Sequence, residues 1–402
     1  MRNFFTITVL LSIAVGLLLF SLGLTDWLYT PKGFNFLKYS FRAILLTGSL
    51  FVFWKAVLKI VSISKNEIVK NALGLLGILF SLFILLEICF SFVLLSGGGE
   101  KTLVGKNWFN YYWKVNDLGY RDENPKDIDR AGKKNILIIG DSYVAGHGLK
   151  EENQRFSNIL RTELKDCSDV FNLGVCGADT RDEFGFLTSF PVKPDLIILS
   201  YVNNDIDKIV EKKDLLKILK TNPTTILNLR KFKSKSGFLS SHSFFLNFID
   251  FMLFERKRDG TFKDLLEKYS SAEKIFESEE GKLIELSYYT NDSLMKLQLK
   301  NIDKFIDYSI NNHVDILFIL FPKTDDRVID YTNKTANEPI AEYLQNKGIE
   351  VINLTHSLKG IKENERHVNK FDPHPGIYTN MVIADTIKKH LSARDLINKL
   401  CH

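Results

Sequence analysis

Cysteine is scarce in this chain, four in 402 residues, which is too few for a disulfide framework. Cys89 falls in an apolar run and Cys401 at the C-terminus, so only Cys167 and Cys176 leave a pairing open, and only in an oxidising compartment. There is no Cys-x-x-Cys and no paired-cysteine zinc pattern. A Gly-x-Ser-x-Gly elbow, a phosphate loop ending in Gly-Lys-Ser/Thr and a Gly-x-Gly-x-x-Gly turn after the first strand are missing too. No internal repeat or low-complexity tract occurs. An excess of one charge is also lacking outside the first hundred residues. Residues 1–100 hold eight Lys/Arg against four acids, leaving only +1 of the net +5 for residues 101–402. A basic interface for nucleic acid is therefore not expected.

Long apolar runs, in contrast, are present, and all precede residue 97. Residues 4–24 are long enough to cross a hydrocarbon core as a helix. They lack a small-residue cleavage site, so the segment is expected to be retained. Residues 43–63 form a second run, interrupted in its latter half by Lys55 and Lys59, whose stems can reach the headgroups. Residues 72–96 form a third and carry Glu87, placed for helix packing, for the interface or for function. Residues 1–96 are thus expected to be a membrane anchor of about three transmembrane helices. Residues 97–132 read as a linker and lead-in, with Gly97-Gly98-Gly99 as a joint and the aromatic stretch from Trp108 to Trp113 at the membrane surface. Basic flanks are nearly balanced, with Arg2 and the Lys55–Lys70 region on one side. Lys32, Lys38, Arg42, Lys101, Lys106 and Lys114 fall on the other.

From residue 133 the pattern changes to short runs rich in Ile, Leu and Val, at 134–139, 169–173, 195–201, 314–321 and 349–353. Such runs read as buried parallel strands. Helical patterns fill the intervals at about 154–166, 179–190, 292–312, 333–347 and 379–391. Strands alternating with helices predict an α/β domain over 133–402, a parallel sheet covered on both faces. The interval 206–291 is too long for a simple crossover and is expected to be a helical insertion near the upper edge of the sheet.

Open parallel sheets bind ligands beyond the carboxyl ends of their strands. Four polar clusters fall there. Gly140-Asp141-Ser142 follows the first strand and Gly174 ends the second. Asn204-Asp205 follows the third, and Asp372-Pro373-His374 precedes the last helix. A serine hydroxyl needs a base to become a nucleophile, and His374 fits that role. Asp372 can orient its imidazole and stabilise the charged form. The amides of Ser142 and Gly174 and the side chain of Asn204 could meet an oxyanion. Each cluster alone also has an ordinary reading, since Ser142 or Asn204-Asp205 could simply cap helices and Asp372-Pro373 could initiate a turn. His147 and His367 could join His374 and Asp372 around a metal, but no close His-x-x-x-His spacing supports one, and no metal or cofactor is expected.

In their residues and order these four blocks resemble those of the SGNH hydrolase (GDSL-like lipase and esterase) family. Asn116-Asp117-Leu118-Gly119-Tyr120-Arg121-Asp122 resembles the lead-in of its membrane-anchored bacterial members. The likeness covers roughly 112–205 and 314–391. It departs at Val202, where glycine is common, and at the short spacing from Asp372 to His374. The resemblance implies a three-layer α/β/α sandwich with a five-stranded, flavodoxin-like parallel sheet. It implies a catalytic triad of Ser142, His374 and Asp372, with an oxyanion hole from Ser142, Gly174 and Asn204 and support from Asp141 and Asp205. The activity implied is hydrolysis or transfer of acyl groups, often O-acetyl groups on polysaccharides. Three functions follow: a serine esterase acting on an acylated envelope glycan or lipid, an O-acetyltransferase for an exported polysaccharide, or a non-catalytic scaffold. Such substrates place the domain outside the cytoplasmic membrane.

Overall fold

A computed structural model describes residues 2–28, 35–97, 102–127, 132–209, 238–255, 288–289, 291–324, 326 and 328–401. It separates into two compact units, residues 1–113 with 234–259 and residues 114–233 with 260–402.

The first unit contains three helices long and apolar enough to cross a membrane: α1 (Arg2–Gly23), α2 (Phe36–Ile63) and α3 (Glu67–Ser91). Leu19, Phe51, Leu58, Leu79 and Leu82 on these helices are exposed, as lipid-facing positions would be. α2 begins seven residues before the expected run because Asn35 caps it, accepting from the amides of Leu37 and Lys38. Asn66 likewise starts α3 early, and Phe92 closes it before residue 96. The early start of α2 brings Arg42 inside the helix, where it pairs with Glu87 at 2.6 Å and both side chains are fully buried. Glu87 is therefore a packing residue.

Two further segments belong to this unit. α4 (Leu103–Tyr112), capped by Thr102, lies in the stretch expected to be linker and buries Trp108. Residues 238–255 are helical, and they cluster with the N-terminal helices rather than with the sheet. Most of the rest of the expected 206–291 insertion lies outside the described residues, as do Gly98 and Gly99 of the expected joint.

The second unit is built on five parallel strands in the order β2-β1-β3-β4-β5. They are β1 (Lys134–Gly140), β2 (Ser168–Gly174), β3 (Leu196–Tyr201), β4 (Asp315–Leu320) and β5 (Glu350–Asn353). The central strands are apolar throughout because both faces are covered. Alternate residues serve opposite layers. Leu137 and Ile139 pack with Leu187 of α7 (Thr180–Ser189), Phe305 of α8 (Asp292–Asn312) and Ile340 of α9 (Glu338–Asn346). Ile136 and Ile138 pack with Phe156 and Leu160 of α6 (Phe156–Glu163) and with Ile383 and Ile387 of α10 (Ile377–Ala393). The three layers are those expected. A short helix, α5 (Ser142–Ala145), follows β1 directly.

One element was not anticipated. Before α10 the chain forms an antiparallel ribbon of β6 (His367–Asn369) and β7 (Asp372–Pro375). Cys176 carries a free thiol, so it does not pair with Cys167.

Candidate active site

Parallel pairing of β1 with β2 and β3 sets Gly140 opposite Gly174 and brings the ends of these strands to one edge of the sheet. At that edge Asp141 caps α5 by accepting from the amide of Tyr143, which leaves Ser142 in the first helical turn. Amides in a first turn have no partner inside the helix.

Ser142 Oγ lies 2.9 Å from His374 Nε2. His374 Nδ1 lies 2.5 Å from Asp372 Oδ1. Asp372 and His374 are two residues apart on β7, so their side chains leave the same face of the strand. That is why the short spacing still joins carboxylate to imidazole. The contacts determine a tautomer: with Nε2 accepting from the serine, Nδ1 carries the proton toward Asp372. Ser142 Oγ has a second, longer contact of 3.3 Å to Asp141 Oδ2, so the imidazole is the better placed acceptor.

Asp372 holds a second histidine. His147 Nδ1 lies 3.1 Å from its other oxygen, Oδ2, and the two imidazole rings are 4.1 Å apart at their centroids. Burial would raise the Asp372 carboxyl, but hydrogen bonds from His147 and His374 hold it well below the ordinary carboxylate range. In the sequence His147 stands out only by its place between two glycines. Gly148 has a φ of +83° and a Cβ there would lie 2.5 Å from Asp372 Oδ2, so only glycine admits the carboxylate so near.

His147, Asp372 and His374 also form the one metal-capable group found among the described residues, their ligand atoms all within 4.8 Å. Each ring Nδ1 already faces a carboxylate oxygen at hydrogen-bond distance, and His374 Nε2 faces the serine. Proton transfer along these contacts would need no rearrangement. His367 is elsewhere, with Nε2 2.7 Å from Thr324 Oγ1.

The expected oxyanion donors separate. Asn204 Nδ2 reaches Asp141 Oδ2 at 3.5 Å, which places its amide beside the serine. The Gly174 amide instead donates to Asn172 Oδ1 at 2.9 Å. Its visible role is steric, since a Cβ there would come within 2.1 Å of the Ala145 nitrogen. Asn172 also donates to Val144 O and Ser157 Oγ, tying β2 to α5 and α6. The Gly174 amide is thus engaged within β2, and the residue packs against the backbone of α5.

Asp205 is fully buried and accepts the Val202 amide at 2.8 Å, which closes the turn carrying Asn204. Burial first, then the Glu183 and Asp141 carboxylates, push its carboxyl well above the ordinary range. Asp141 is raised by burial too, with the Tyr143 amide and His374 opposing. The lead-in supports the serine loop directly. Arg121 donates to the carbonyls of Gly146, Leu149 and Lys150, and Asp122 receives both a two-pronged bond from Arg161 and the Asn172 amide.

The strand order β2-β1-β3-β4-β5, with the serine directly after β1 and the Asp-x-His directly before α10, is the arrangement that the sequence resemblance implies. No family model and no curated protein matches the chain. Among solved structures it is similar to a protein described as lipolytic, of the G-D-S-L family, from Desulfitobacterium hafniense. The identity is 13% and the TM-score 0.36, over 64% of this chain and 98% of that one. A lipolytic G-D-S-L family member from Veillonella parvula gives 12% and 0.33, over 64% and 97%. A carbohydrate acetylesterase family member from Sinorhizobium meliloti gives 11% and 0.31, over 64% and 97%. Fold and site stand on the strand order and the contacts above.

Proposed function

We propose that the chain is a membrane-anchored serine esterase that hydrolyses O-acyl esters, O-acetyl foremost, of a cell-envelope glycan or lipid. The observation that carries this reading is the unbroken line of contacts from Ser142 through His374 to Asp372. His374 takes the Oγ proton as the serine attacks the ester carbonyl. The developing oxyanion is met by the Ser142 amide and by Asn204. His374 then returns the proton to the leaving alcohol, and water attacks the acyl-serine with His374 again as base. Asp372 stays ionised throughout, because two imidazoles donate to it. Neither a cofactor nor nucleic acid has a part in these steps.

The acyl-serine can also pass its acyl group to a sugar hydroxyl, which is the O-acetyltransferase alternative. The same triad serves both, and the fate of the acyl group separates them. The full chain is assayed in membranes for acetate release from acetylated envelope glycans, with and without an acceptor glycan, and for labelling by a fluorophosphonate. Ser142→Ala is expected to lose both labelling and acetate release. Retained activity in that variant assigns the nucleophile elsewhere. A native chain that neither labels nor turns over is the scaffold.

A further inference from the structure

Residues 238–255 stand far from the spans in sequence, yet they join the unit that contains them. Glu87 of α3 accepts from Ser243 Oγ at 2.5 Å and from the amides of Phe244 and Phe245 at 2.9 and 3.0 Å. A carboxylate from a spanning helix thus satisfies the opening amides of the helix Phe244–Asp250. Arg42 neutralises that carboxylate and also reaches the His242 carbonyl at 3.3 Å, while Thr25 donates to the same carbonyl at 2.7 Å. In hydrocarbon an unmet backbone amide costs several kcal/mol, so a helix that starts there needs such an acceptor. In water it would not.

Location agrees with this. Glu87 is four residues before the end of α3, and Arg42 is six residues after the start of α2. At about 1.5 Å per residue the clamp is roughly 6–9 Å inside the helix ends. Between residues 238 and 254 the only titratable side chains are His242 and Asp250. Phe244 is fully buried, and Phe245 and Phe248 pack on Phe90, whereas Leu239 and Leu253 are half exposed.

We propose that residues 238–255 are a fourth membrane element, an interfacial helical segment whose outer face meets the acyl chains of the leaflet at that end of the spans. The Glu87–Arg42 pair is the clamp that holds it there. A buried pair of this kind is poor evidence for stability alone, since desolvation offsets its attraction. Its four donors to one carboxylate explain why it is buried.

The test uses the full chain in vesicles of phosphatidylethanolamine and phosphatidylglycerol with a tracer lipid. Benzoylphenylalanine is placed at Leu239 or Leu253, with Leu82 on α3 as the reference. The expected result is lipid adducts at Leu239 and Leu253 comparable to those at Leu82. Adducts to protein alone at Leu239 and Leu253, or none there while Leu82 reacts, overturn the proposal. In a second arm, Glu87→Ala is expected to lower the Leu253 adduct roughly tenfold or more, as removal of one partner of a buried pair does, with Leu82 unchanged. An unchanged Leu253 adduct overturns the clamp.

Discussion

The His147 and His374 rings lie 4.1 Å apart, and each is bonded to a different oxygen of Asp372. The carboxylate that orients the base is thereby fixed from both sides. Loss of His147 leaves one oxygen of a buried carboxylate without this donor, and Asp372 becomes free to turn. His147→Ala is expected to lower kcat about tenfold, the value of a hydrogen bond to a charged group, while KM changes little. His147→Asn, whose side-chain amide can still donate, should recover part of the loss. Steady-state kinetics on an acetyl ester check this. A KM effect without a kcat effect would place His147 in substrate binding instead.

Asn204 and Gly174 are expected to fail differently. Asn204→Ala removes a donor aimed near the serine and should reduce kcat by roughly 10²–10³-fold, as loss of one oxyanion donor does. Its thermal transition should remain native. Gly174→Ala forces a Cβ onto the backbone of Ala145, so its loss of activity should come with a lowered Tm. Calorimetry and kinetics on the two variants together separate the roles.

Asp205 predicts a pH dependence of stability. Its folded carboxyl is raised by burial and by Glu183, so the folded state holds the proton more tightly than the unfolded chain. Its favourable contribution is complete below the unfolded value of about 4 and is lost as pH rises toward the folded value. Asp205→Asn can still accept the Val202 amide and removes the repulsion. The sheet unit of this variant should melt about 2–4 °C higher than native at pH 8, an effect on the order of 1 kcal/mol, and no higher at pH 3.5. A lower Tm at pH 8 would show that the charge is needed.

Topology gives a prediction of another kind. Three spans would put the N-terminus and the chain after residue 97 on opposite sides of the membrane. Reporter fusions after residues 30, 66 and 130 are expected to report outside, inside and outside in turn. A cytoplasmic reporter after residue 130 would remove exported glycans from the substrates considered.

The five strands were legible because parallel strands covered on both faces must be apolar throughout, and β1 and β3 announce themselves as unbroken Ile/Leu runs. Ser142, Asp372 and His374 stood out in the sequence as polar clusters beyond strand ends, and the structure brings their side chains within hydrogen-bond reach of one another. What the sequence left open depends on contacts between distant residues. His147 and Asp372 are 225 positions apart, and no local pattern pairs them. Glu87 read equally well as function or packing until Arg42 and the start of the helix Phe244–Asp250 closed around it, 157 positions away. Local sequence determined which segments are strands, spans and polar turns, since those follow from periodicity and burial. Only the tertiary structure decided which charges meet, because a buried charge is tolerated solely where distant donors converge on it.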